Sequence, residues 1–179
     1  MIERTRPRTA RIGVFGVGLS TYWGQFPGLM DNLMGYHARF KAMLPENAEI
    51  VDYGMIDSVD KSFAAARRMQ ADGVDLILCN MLTYATSSVF APILRETTAP
   101  IVLVALQPLS AMDYTQARTF MQLENDCICS VPEFTGVAIR FGRAVRDVII
   151  GTLEDEGCRA QLRDWCDTAC ALHLSLIHI

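Results

Sequence analysis

The sequence is short of several things at once, and each shortage closes a class of function. No stretch approaches the ~18 uninterrupted apolar residues of a membrane span, so a membrane-embedded protein is not expected. Basic charge is not in excess: 16 Lys and Arg against 20 Asp and Glu give a net charge of −4, with a pI near 5.3. Nucleic acid is therefore not expected as an obligatory partner. Only 3 histidines occur, and none pairs with a carboxylate and a nucleophile in the pattern of an acyl-transfer triad. The 6 cysteines lack the spacing of a disulfide framework or of paired CxxC zinc ligands. Cys166, Cys170 and His173 do fall on one helical face, where a half-buried stripe is the simpler reading than a metal site. Internal repeats and low-complexity linkers are missing too. A soluble, cytoplasmic protein with one core is expected. A length of 179 residues with 51% hydrophobic content is ample for a single domain.

What is present is organised around residues 10–28, ARIGVFGVGLSTYWGQFPG. Ile12, Val14, Phe15 and Val17 read as a buried strand. Gly13, Gly16 and Gly18 let the backbone leave the sheet. A polar and aromatic loop follows, with Ser20, Thr21, Tyr22, Trp23, Gln25 and Phe26, closed by Pro27 and Gly28. The glycines read G-x-x-G-x-G, the wrong order for a dinucleotide fingerprint, and lead into a loop where that fingerprint needs a helix. A nucleotide cofactor is not expected.

Further along, helical spacing covers 29–44, 59–72, 87–96, about 112–122, a long helix from Pro132, and about 154–172. The stripe from Pro132 runs Phe134, Val137, Ala138, Phe141, Val145, Val148 and Ile149. Strands are expected at 48–53, 74–81 and 101–106, and VDLILCNM at 74–81 has the continuous apolar character of a central parallel strand. Strands alternating with helices predict a flavodoxin-like, doubly wound parallel α/β sheet of four to five strands, with helices on both faces. Residues 1–9, with Arg4, Arg6 and Arg8, are expected to be a disordered basic leader, and 10–172 a single α/β domain. In such sheets ligands sit at the carboxyl ends of the strands. The loops there bring Trp23, Gln25, Asn80, Tyr84 and Gln107 toward one crevice. Aromatic faces with amides and hydroxyls suit a small-molecule sugar or other polyol. Glu124 and Glu133 flank an irregular segment beside it.

Several motifs together resemble a known family. YWGQFPGL at 22–29, GYHARF at 35–40, LTYATSS at 82–88, LQPLSAMDY at 106–114 and VPE at 131–133 are similar to the amino-terminal domain of L-arabinose isomerase and its relatives in the L-fucose/L-arabinose isomerase superfamily. The resemblance covers roughly residues 10–150. It implies an aldose–ketose isomerase, a cytoplasmic homo-oligomer of carbohydrate metabolism. Its divalent metal, usually manganese, is bound by Glu and His residues of later domains. The present chain would then be the substrate-contacting, oligomer-forming first domain, inactive alone because it carries no catalytic or metal-binding residues. Carried onto this sequence, the substrate contacts fall on Tyr22, Trp23 and Gln25, on Tyr84, and on Gln107. Ser20 and Thr21 replace a Gln-His pair of well-known members, which leaves the sugar open. HLSLIHI at 173–179 resembles translated adapter read-through, a non-native tail fitting a gene cut after its first domain. The alternative is a freestanding flavodoxin-like carbohydrate-binding or regulatory domain.

Overall fold

The computed structural model describes residues 9–177; most of the basic leader and the last two residues of the 173–179 segment lie outside the described residues. In chain order the elements are β1 (Arg11–Val17), α1 (Thr21–Gln25), α2 (Leu29–Ala42), β2 (Glu49–Ile56), α3 (Val59–Asp72), β3 (Leu76–Met81), a 3₁₀ turn (Ser87–Val89), α4 (Ala91–Glu96), β4 (Ile101–Gln107), α5 (Thr119–Glu124), α6 (Val131–Arg140), β5 (Asp147–Thr152) and α7 (Glu156–Ile177). The five strands are all parallel, in the order β2-β1-β3-β4-β5. This is the doubly wound α/β order whose direction reverses between β1 and β3.

Strand side chains alternate between the faces, and both faces are apolar. Phe15, Val17, Ile77, Cys79, Leu103 and Ala105 pack against α3, α4 and α6. Ile12, Val14, Leu76, Leu78, Val102 and Val104 pack against α2 and α7. A smaller cluster of Leu29, Leu33, Met55, Leu82 and Leu123, joined by Tyr22, Trp23, Phe26 and Phe120, covers the carboxyl end of the sheet. Burial on both sides is why β3 and β4 read as apolar runs, broken only by Asn80 and by Gln107 at the end. Among the described residues no helix is long and apolar enough to cross a membrane.

One expected element is replaced by two. The helix begun at Val131 stops at Arg140, and Val148 and Ile149 belong to β5. The break is made by Gly142, whose φ of 65° is the left-handed conformation glycine adopts at no steric cost. Its N–H bonds to the Ile139 carbonyl, and the Arg143 N–H to that of Ala138 (both 2.9 Å). That pair of bonds closes a helix in the Schellman manner. Arg143 then reaches sideways to the end of α4, donating to the carbonyls of Ile93 (3.2 Å), Leu94 (2.7 Å) and Ala99 and to the Thr97 hydroxyl (3.0 Å). The expected helix at 112–122 is likewise shorter and later, at Thr119–Glu124. α7 runs past the expected end through Ile177, with His173 buried and its Nδ1 2.9 Å from Asp75.

Candidate functional site

The carboxyl rim of the sheet is built from the loops after β1, β3 and β4 and from the segment between α5 and α6. The loop after β3 is held by two side chains from the start of α6. Buried Ser130 accepts a hydrogen bond from the Ala85 N–H (2.8 Å), and Glu133 accepts one from the Ser87 N–H (2.6 Å). Between β3 and these two anchors sits Thr83, fully buried, whose hydroxyl has no hydrogen-bond partner among the described residues. A buried hydroxyl without a partner costs about 1–3 kcal/mol. Tyr22 lies within electrostatic reach of Asp126, Cys129 and Tyr84; burial, then those neighbours, raises its phenol above the ordinary value. The Cys129 thiol, although on an exposed residue, is pushed up to about 11 by partial burial and by Asp126. It stays protonated at neutral pH and is not poised as a nucleophile.

The five residues expected to touch a ligand do not form one cluster. Tyr22 and Tyr84 come together at the switch point between β1 and β3. Trp23 turns toward β2, its indole N–H donating to buried Asp57 (2.8 Å), which also pairs with Lys61 at 2.8 Å. Gln107 lies at the end of β4, donating to the Asn125 carbonyl (2.8 Å). Since β2 and β4 are three strand positions apart, the ends that carry these two contacts are separated by roughly 14 Å of sheet. Gln25 ends α1 with its side chain exposed. Glu124 accepts from the Asn32 amide (2.8 Å) and the Tyr36 hydroxyl (3.0 Å), clamping α5 to α2.

Asn80 is not in the crevice. It is buried against His37, its Nδ2 3.0 Å from the ring Nδ1, while His37 Nε2 lies 3.1 Å from Asp52. The Lys41 ammonium is 2.5 Å from the other Asp52 oxygen. Burial lowers the His37 pKa against the opposing pull of Asp52, so the ring is neutral. Burial also acts to raise Asp52, but Lys41, the Gly54 amide and His37 outweigh it and hold the carboxyl below its usual range. On the Cys166–Cys170–His173 face, Cys166 lies in the core and His173 Nδ1 is 2.9 Å from Asp75, and among the described residues no group of His, Cys, Asp and Glu is placed to hold an ion.

A cavity of about 380 Å³ opens at the other, amino-terminal end of the sheet, beside Arg11, Asp72, Asp75, Thr97 and Thr98. Its charged walls are engaged with one another. Asp75 accepts from the Arg11 N–H (2.8 Å), Asp72 accepts from the Tyr53 hydroxyl (2.8 Å), and the Arg11 guanidinium donates to the Asp72 carbonyl (2.7 Å). The rim is the better candidate, because it alone of the two leaves a buried polar group unmatched.

No family model matches this chain. No curated protein matches it either. Among solved structures it is similar to type II dehydroquinase from Propionibacterium acnes, at 16% identity and a TM-score of 0.43, over 89% of this chain and 99% of that one. It is also similar to type II dehydroquinase from Butyrivibrio crossotus, at 12% identity and a TM-score of 0.45, over 90% and 99%. Likeness at this level carries no activity across. It does correct the expected kinship: the neighbours are not isomerases of the L-arabinose/L-fucose superfamily, and the assignment to a sugar isomerase domain of carbohydrate metabolism falls with it. The motifs that carried the resemblance have internal work in this fold. Trp23 holds Asp57, Tyr36 holds Glu124, Gln107 holds Asn125, and the Glu of VPE fixes the loop after β3.

Sequence reading passed over Ser130 and did not distinguish Thr83 from its polar neighbours. Ser130 precedes a Pro-containing helix start, a signal that suggests a cap, whereas its hydroxyl serves a loop 45 residues away.

Proposed function

We propose that this domain binds a small, uncharged, hydroxyl-rich molecule of the polyol class at the carboxyl rim, where β1 and β3 diverge. The observation that supports this most directly is the Thr83 hydroxyl, buried without a partner among the described residues, in a loop whose Ala85 and Ser87 amides are each matched by a side chain. The hydroxyl is closed off from solvent, so the loop opens to admit a ligand hydroxyl that supplies the missing partner, while the Ala85 and Ser87 amides keep their anchors. Tyr22 and Tyr84 lie near one another at the same place and supply the aromatic rings on which C–H groups pack. Asp57, Asp126, Glu124 and Glu133 surround the rim with carboxylates, which disfavours an anion. Six free cysteines suit a reducing, cytoplasmic setting.

The test is a ¹H–¹⁵N NMR titration with xylitol. Shifts are expected in residues 18–23, 82–86 and 126–130, and Thr83→Val is expected to weaken binding about tenfold, the worth of one hydrogen bond. Shifts at Asp75 and Thr98, or none at all, overturn the reading.

A further inference from the structure

The chain Lys41–Asp52–His37–Asn80 runs from the surface into the sheet and stops two residues short of the loop that carries Thr83. Its hydrogen-bond bookkeeping allows one arrangement at neutral pH. The Asp52 carboxylate only accepts, so the proton of neutral His37 sits on Nε2; Nδ1 is then a lone pair, and it takes the Asn80 amide N–H at 3.0 Å. The charged groups facing the ring are Asp52 from β2 and Lys41 from α2. The remaining neighbours, Phe40, Gly16 and Leu82, are uncharged.

Gly16 makes the connection to the rim. It lies on β1 directly beside Asn80 in register, and the notch left by its missing side chain is filled by others. A Cβ there would lie 2.4 Å from Leu82 Cδ1 and 3.6 Å from His37 Nδ1. Leu82 and the imidazole therefore border the same notch, and Leu82 is bonded to Thr83. A change at Nδ1 acts first on Asn80, its hydrogen-bond partner, and Leu82 lies on the far side of the notch, where a close-packed interior passes such displacements on.

We propose that the His37–Asn80 contact is an acid-released latch on the rim: a proton taken from solvent by Nδ1 sets two donors face to face, the Asn80 carboxamide inverts to present its oxygen, and Leu82 shifts with the Thr83 loop. The closed arrangement is the neutral one, which burial of the ring favours. The step moves one proton and breaks no covalent bond. Its consequence for ligand affinity rests on the polyol reading of the rim; the latch itself does not.

The experiment follows three NMR signals on the intact chain from pH 7.5 to 5: the His37 ring nitrogens, the Asn80 side-chain amide and the Leu82 methyls. All three are expected to move with one midpoint, and in His37→Gln the Asn80 and Leu82 signals are expected to stay still over the same range. Titration of His37 with no movement of Asn80 or Leu82 overturns the latch, as does a ring that remains neutral until the protein unfolds. Xylitol affinity is measured alongside. It is expected to fall by up to about tenfold per pH unit below the midpoint in the wild type, and to stay level in His37→Gln. Binding that is equally strong at both ends of the range in the wild type overturns the coupling. Xylitol that binds at no pH removes the polyol reading instead, and the three signals alone then decide the latch.

Discussion

Two substitutions, one in the loop after β3 and one at the residue before α6 that anchors it, each deleting a single oxygen, should change stability in opposite directions. Thr83→Val removes a hydroxyl that is buried and unmatched, and puts a methyl of similar size in its place. The folded state no longer strips water from a hydroxyl and returns nothing for it, so the variant should be more stable by about 1–2 kcal/mol. Ser130→Ala removes an equally buried hydroxyl, but one that receives the Ala85 N–H at 2.8 Å. That amide is then left without an acceptor, and the variant should lose about 1–3 kcal/mol. Urea unfolding reads both as shifts of the midpoint with the slope unchanged. For a chain of this size each kcal/mol moves the melting temperature by about 2–4 °C, so the two variants should melt on either side of the wild type. The pairing with function is part of the prediction: Thr83→Val should gain stability and lose the ligand, the exchange expected when a group is kept for binding. A Thr83→Val protein destabilised by about 1 kcal/mol or more would refute the reasoning, because that is the cost of removing a hydroxyl that had a partner.

Other consequences can be checked separately. Arg143→Ala strips the end of α4 of its donor to Ile93, Leu94 and Ala99 and should cost about 3 kcal/mol in urea unfolding. Arg143→Lys keeps the cation without the fork and should recover about half. His37 is held neutral by burial, so its folded pKa lies below the ordinary 6.5. The unfolded chain therefore takes up the proton first as pH falls, and stability should drop below pH 6.5 by at most about 1.4 kcal/mol per pH unit. The difference in slope between wild type and His37→Gln isolates that loss from the other titrating groups. Cys129 is exposed, yet its thiol is held up at about 11. Iodoacetamide should label it slowly at pH 7 and faster by about tenfold for each unit of added pH up to 10, tracked by mass spectrometry.

The amino-acid order alone settled the architecture, and the reason is local. Runs such as Leu76–Cys79 and Ile101–Leu106 are apolar at every position, because a parallel strand covered on both faces has no polar side. The helix over Val59–Asp72 is bounded by a serine that caps it and a glycine that ends it, features written in adjacent residues. The site was not legible in this way. Tyr84 and Gln107 were read as residues at strand ends, whereas Trp23, expected in a loop, lies in α1; which neighbour each side chain takes depends on groups far along the chain: Asp57 for Trp23, Asn125 for Gln107. The stripe from Phe134 to Ile149 kept helical spacing across Gly142, and only the packing of Val148 and Ile149 beside β4 made the second half a strand. His37 and Asn80 lie 43 positions apart. That they meet, helix against strand, over a glycine on the neighbouring strand, is a property of sheet order and register, which no local pattern encodes.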